Sequence, residues 1–209
     1  MTYIENIFVC LAAPLLVTAF CMGKKYLRFF LFAFAGMGAC LLSSYGNTFF
    51  AVLYDASAFQ ATVEIAPVVE EVMKLLPVLF YLLIFNPNQE HIKTAVITIS
   101  AGFATFENIC YLILHGAEDL GVLLVRGLGT GAMHIVCSGL IYVWRRSWLT
   151  AACTCGLLGT AVIFHGIYNL LIAYGGWVQY VAYALPLSAI VLRTVARQIL
   201  SAFSEQLEN

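Results

Sequence analysis

The sequence contains few charged residues for its length. Lys, Arg, Asp and Glu make up 10% of its 209 residues, whereas an average soluble domain has about 25%. Hydrophobic residues make up 62%, and the mean hydropathy is +0.92. This composition excludes an ordinary soluble domain and predicts one integral membrane domain over residues 1–209. The net charge of -1 gives no indication of a nucleic-acid partner.

The sequence also lacks the cysteine spacing of a metal finger and the features of a cleavable signal peptide. The seven cysteines lie in apolar stretches, and Cys153 and Cys155 are too close together for metal-finger spacing. Buried cysteine behaves as a small hydrophobic residue, so no structural disulfide is expected. The first apolar segment has no basic residues before it and no evident small-x-small cleavage site. We predict that it is a retained helix and not a removed signal peptide.

Long apolar runs are abundant. A helix needs about 20 apolar residues to cross a bilayer, and the sequence predicts an all-α, polytopic transmembrane bundle of about seven (or eight) helices. The uncertain stretch is Gly46–Thr62, which is either a loop or a surface-lying helix. The predicted spans are Tyr3–Met22, Leu27–Tyr45, Val63–Phe85, Thr94–Leu114, Leu120–Trp144, Trp148–Tyr174 and Val178–Val195.

Basic residues in the connections predict the orientation. They lie in alternate connections and at the C-terminal end, so all of them lie on one side of the membrane. The charged residues in the connections on the opposite side are all acidic. Because Lys and Arg concentrate in cytoplasmic loops, we expect the N-terminus outside and the C-terminus in the cytoplasm. The basic residues are Lys24, Lys25, Arg28, Lys93, Arg145, Arg146, Arg193 and Arg197.

Several polar side chains nevertheless fall within the predicted spans. Each charged one costs about 3 kcal/mol on insertion scales, so a bundle retains it only where it pairs, lines a cavity or acts in function. At a rise of 1.5 Å per residue, four consecutive helices place most of these groups roughly 10–20 Å from the outer face. We therefore predict one shared polar cavity. The residues are Glu64, Glu70, Glu71, Lys74, Glu107, Asn108, Arg126, His134, His165 and Asn169.

Proline and glycine modify the same helices. Pro67 and Pro77 bracket the acidic pair, and each removes a backbone N–H, which predicts a kink or a freed carbonyl. Gly127 and Gly131 have G-x-x-x-G spacing, which predicts close helix packing.

Four motifs occur in order along the predicted helices. Glu70–Lys74 reads E-E-x-x-K, Phe103–Asn108 reads F-x-x-x-E-N, His134 follows, and His165–Asn169 reads H-x-x-x-N. Together they resemble the PrsW family of intramembrane proteases over about residues 64–169. That family is similar in turn to the CAAX prenyl endopeptidases, which carry E-E-x-x-x-R and F-x-x-x-H.

The resemblance implies hydrolysis of a peptide bond in or near the membrane. Within the family, substrates are membrane-anchored regulators such as anti-sigma factors, which also implies a multi-pass protein of the bacterial inner membrane. The chain departs from the CAAX group because Lys74 comes one residue earlier than the arginine and Glu107 replaces the histidine. Both departures favour the PrsW family.

Two versions of the chemistry fit these residues. Without a metal, Glu70 is the general base, Glu107 or His134 helps to hold the water, and Lys74 neutralises Glu71. His165 and Asn169 then donate to the oxyanion.

With a metal, the same residues take different roles. Glu107, His134 and His165 form a two-histidine, one-glutamate zinc set with an open position. Glu70 or Glu71 is then the base, or an additional ligand. The alternatives to a protease are a proton-coupled transporter and a non-catalytic scaffold. The short chain without repeats argues against the transporter, and the adjacent acid pair argues against the scaffold.

Overall fold

The computed structural model describes residues 3–116, 119–141 and 150–207, which are helical apart from short connections. This confirms the predicted all-α polytopic bundle. The predicted helix ends at Trp144 and Trp148, and the basic pair Arg145 and Arg146, lie outside the described residues. The elements are α1 (Ile4–Met22), α2 (Lys24–Leu53), α3 (Ala58–Gln60), a π-helical turn (Ala61–Ile65), α4 (Ala66–Phe85), α5 (Gln89–His115), α6 (Leu120–Ile141), α7 (Thr150–Tyr174) and α8 (Gly176–Leu207).

Six of the described helices are long and apolar enough to cross a membrane by length and composition. They are α1, α2, α5, α6, α7 and α8. The remaining long helix, α4, is also largely apolar, but it carries three charged residues, Glu70, Glu71 and Lys74, within its 20 positions. The long helix outside this set is therefore the one that carries the first motif.

The stretch Gly46–Thr62 is largely helical. Helix α2 continues to Leu53, and a short connection leads to Ser57, whose side chain caps α3 in a capping box with Gln60. The expected helix start at Val63 was therefore too late. Glu70 lies roughly 18 Å along the helical path from Ala58, farther from the start of this helical stretch than the sequence suggested.

The closest helix packing joins α2 to α5. A Cβ built on Gly36 would lie 2.0 Å from the Ile99 carbonyl oxygen, and one on Gly102 would lie 2.3 Å from the Ala33 carbonyl oxygen. The two backbones therefore touch at reciprocal glycines, as small residues allow in membrane helices. This contact fixes α5, and the motif it carries, against α2.

The predicted G-x-x-x-G contact was wrong. Among the described residues, no atom lies within 4 Å of a Cβ built on Gly127 or Gly131, whereas one on Gly129 would lie 2.7 Å from the Tyr183 ring. The three glycines share α6, but only Gly129 faces α8. Spacing alone could not identify which glycine is at the interface.

Gly36→Ala is expected to destabilise the bundle by about 1–3 kcal/mol or more, because the added methyl group meets rigid backbone. Gly38→Ala is the matched control on the same helix, since a Cβ there meets no described atom within 4 Å. It should leave stability unchanged or raise it slightly, because alanine favours helix. Denaturant unfolding of the purified variants measures the difference, and equal stability of the two would contradict the packing argument.

Candidate active site

Helix α4 places a buried ion pair at the centre of the bundle. Lys74 Nζ lies 2.7 Å from Glu71 Oε1, and their side chains are 1% and 0% exposed. The two residues are three apart and share a helix face. Neither side chain reaches a surface where a substrate could bind. They can act only through the groups that they contact.

Lys74 also contacts a histidine of α6. Its Nζ lies 2.8 Å from His134 Nδ1, and His134 Nε2 lies 2.6 Å from Glu107 Oε2. A charged ammonium group can only donate, so Nδ1 accepts this bond and Nε2 carries the ring proton. His134 then donates that proton to Glu107. One chain of hydrogen bonds thus links α4, α6 and α5.

Phe103, the first residue of the second motif, packs against this chain. It is fully buried, its ring centroid lies 5.2 Å from Lys74 Nζ, and its ring lies 4.9 Å from that of His134. A cation near an aromatic face is stabilised by the ring electrons. Phe103 therefore shields the buried ammonium group and restricts the rotation of His134.

His165 has the opposite tautomer. Its Nδ1 lies 2.8 Å from Glu71 Oε1, so it donates the Nδ1 proton to that carboxylate. The lone pair of Nε2 is then free, and Nε2 lies 3.7 Å from Glu70 Oε2. A carboxylate on one nitrogen with the other nitrogen free is the usual arrangement of metal-binding histidine.

Asn47 of α2 is a site residue that sequence reasoning missed. Its Nδ2 donates to Glu70 Oε1 at 3.2 Å. It was missed because it falls in Gly46–Thr62, which was not assigned to a span. The apolar run that follows, residues 49–53, was the signal that α2 continues.

A cavity of about 450 Å³ opens beside these groups, and its walls include Glu70, Glu107 and His165. Arg126 also lines it: the guanidinium group lies 3.5 Å from the centre of the Tyr111 ring, 3.8 Å from Glu107 Oε1, and bonds to Asn108 Oδ1. The predicted polar residues of α4 to α7 therefore converge, apart from Glu64, which is exposed on the π-helical turn.

A family model described as PrsW family intramembrane metalloprotease matches residues 15–194. The chain belongs to this family. The match extends from α1 into α8 and includes the whole cluster, so it confirms the resemblance drawn from the motifs. Comparison with curated proteins and with solved structures gave no match. Membership makes the chain an intramembrane protease and disfavours the transporter and scaffold alternatives.

The PrsW family is described as metalloproteases, and the donor groups present here fit a metal ion. Glu70, His134 and His165 each offer a ligand atom, and these atoms lie within 4.8 Å of one another. Two histidines with one carboxylate are a common catalytic zinc set. His165 is already in the required tautomer, whereas His134 would coordinate a metal through Nε2 only if its ring proton moved to Nδ1, where Lys74 could no longer donate to it. The sequence had predicted Glu107 in the position that Glu70 occupies in this trio.

Asn169, at the end of the last PrsW motif, bonds to backbone. Its Nδ2 donates to the Thr62 carbonyl oxygen at 2.9 Å. Within the π-helical turn the Ala66 N–H bonds to Ala61, so Thr62 would need the N–H of residue 67, which is Pro67 and has none. Asn169 thus supplies the hydrogen bond that Pro67 withholds. Its second N–H remains for the predicted oxyanion role, since Asn169 also lines the cavity.

Asn169→Ala is expected to cost about 0.5–1.5 kcal/mol of stability, because it removes the hydrogen bond to the Thr62 carbonyl. Pro67→Ala restores the missing backbone N–H, so the same change should cost clearly less in that background. A double-mutant cycle of unfolding free energies measures this coupling. Strict additivity of the two substitutions would show that Asn169 does not replace the missing proline donor.

Proposed function

We propose that this PrsW-family chain is a zinc-dependent endopeptidase that cleaves a membrane-anchored protein. The observation that carries the proposal is the convergence of Glu70, His134 and His165, whose ligand atoms lie within 4.8 Å of one another, beside a cavity that Glu70 and His165 line. These three residues would hold the zinc ion. When bound, zinc supplies Lewis acidity that activates water and polarises the scissile carbonyl.

Glu107 is the general base in this proposal. It lines the cavity, and its side chain is 30% exposed, whereas that of Glu71 is fully buried. Glu107 therefore can reach the attacking water, take its proton and deliver that proton to the leaving amine. This assignment exchanges the roles of Glu70 and Glu107 relative to the sequence prediction.

Glu71 and Lys74 are positioning residues in this scheme. Glu71 accepts the hydrogen bond from Nδ1 of His165 and so fixes the orientation of that ring, as groups around metal ligands generally do. Lys74 acts through Glu71, whose charge it neutralises. The sequence prediction had grouped both with the catalytic residues.

The oxyanion would be stabilised by two other residues that line the cavity. Asn169 retains one N–H, and Arg126 retains guanidinium donors beyond its bond to Asn108. Preorganised donors of this kind stabilise the negative charge that develops on the scissile carbonyl.

The substrate and location follow from the resemblance. We propose a membrane-anchored regulator of the anti-sigma-factor class, cleaved in the bacterial inner membrane. The basic connections support an N-terminus outside and a C-terminus in the cytoplasm.

The test uses the purified full chain, reconstituted in a bilayer with a membrane-anchored reporter. We expect about one zinc ion per chain, cleavage of the reporter, loss of cleavage with a chelator and recovery with added zinc. Cleavage by protein shown to be free of metal would instead support the glutamate-only version. Failure to cleave anti-sigma-type reporters, with other anchored reporters cleaved, would refute the substrate class alone.

A further inference from the structure

A second cavity lies at the other end of α4 from the PrsW motifs. Its volume is about 670 Å³, and it lies between the first half of α2, the last half of α4 and the start of α5. None of the residues that form the candidate active site lines it. We call it the α2–α4 groove.

One wall of the α2–α4 groove is apolar and exposed. Leu31 is 51% exposed, and Phe80 and Phe85 are each 62% exposed. Pro77 lies on the same wall, as do Phe32, Ala35 and Tyr81. In a membrane protein, such a surface contacts acyl chains.

The other end of the groove is basic. Arg28 and His91 line it, and Arg28 is exposed with no ion-pair partner among the described residues. The nearby acid in sequence, Glu90, is itself 3.9 Å from Lys93. No acidic side chain among the described residues pairs with Arg28, and Lys24 and Lys25 precede it in the chain.

We propose that the α2–α4 groove binds an anionic phospholipid. Its acyl chain lies along the apolar wall, and its phosphate contacts Arg28 and His91. A single basic end joined to a long apolar wall matches an amphiphile with one anionic headgroup, and basic pockets between membrane helices bind such headgroups. This site does not depend on the proposed peptidase function.

Native mass spectrometry of the purified full chain tests the headgroup. With equal amounts of dioleoylphosphatidylglycerol and dioleoylphosphatidylcholine, we expect about 5-fold preferential retention of the anionic lipid. Arg28→Gln should abolish this preference. Arg193→Gln, which removes another exposed basic residue away from the groove, should keep it. Equal retention of both lipids by the unmodified chain, or equal effects of the two substitutions, would overturn the proposal.

A second pair of variants tests the groove itself. Leu31→Trp places a larger side chain on its apolar wall, whereas Phe29→Trp enlarges a similarly exposed residue of α2 that does not line it. We expect several-fold weaker retention of the anionic lipid for Leu31→Trp alone, with both variants eluting as folded protein. Retention unchanged in Leu31→Trp would place the lipid elsewhere and refute the site.

Discussion

Glu70→Gln is expected to abolish both zinc binding and proteolysis, whereas Glu107→Gln is expected to abolish proteolysis alone. Glu70 belongs to the trio of potential ligands, and a neutral amide is a poorer ligand than a carboxylate. Glu107 is the proposed base, and removal of a general base typically lowers the rate about 10²–10⁴-fold. Zinc content by elemental analysis and cleavage of an anchored reporter are measured on the same preparations.

The matched control is Glu64→Gln, which neutralises an exposed glutamate outside the cluster. It should retain both zinc and activity. If Glu107→Gln loses the metal while Glu70→Gln keeps it, the roles predicted from sequence are correct and the exchange proposed here is wrong. Full activity in both Glu70→Gln and Glu107→Gln would contradict both assignments, Glu70 as a metal ligand and Glu107 as the general base.

The sequence was sufficient for the class of fold and for most members of the cluster, although it missed Asn47 and included Glu64. Composition required a membrane bundle, and the cost of burying Glu70, Glu107, His134 and His165 in separate apolar spans required that they meet. These arguments need only helix length and depth. They do not require knowledge of how each helix is rotated about its axis relative to its neighbours.

Pairings within the cluster did depend on that rotation. Lys74 is three residues from Glu71 and four from Glu70, so spacing allows either pair, and only the packing of α4 selects Glu71. The contact between Lys74 and His134 joins residues 60 apart in the chain, for which the sequence contains no local signal.

Backbone effects were the second source of error. The sequence correctly predicted that Pro67 leaves a backbone carbonyl without its helical N–H donor. The residue that supplies a donor instead is Asn169, more than 100 positions later. Similarly, the reciprocal contact of Gly36 and Gly102 lacks a spacing motif because the glycines lie on different helices. Local patterns identify where a helix is unusual, and tertiary packing determines what meets it there.

Lys74→Met is expected to be the most destabilising of the substitutions considered. It leaves Glu71 buried and without its counter-ion, and breaking a buried pair in this way costs about 3–5 kcal/mol. Lys93→Met is the control, because Lys93 and Glu90 form an exposed pair at 3.9 Å. Such pairs contribute about 0–1 kcal/mol. Unfolding in denaturant compares the two, and similar stability losses would show that Lys74 does not neutralise a buried charge.

The double variant Lys74→Met, Glu71→Gln separates stability from function. Without either charge, much of the lost stability should return, because no unpaired ion is buried. Activity should not return with it, since His165 loses the carboxylate that accepts its Nδ1 proton. Recovery of cleavage in the double variant would mean that the pair serves only the fold. Recovery of folding alone would show that the buried pair, through Glu71, orients His165 next to Glu70.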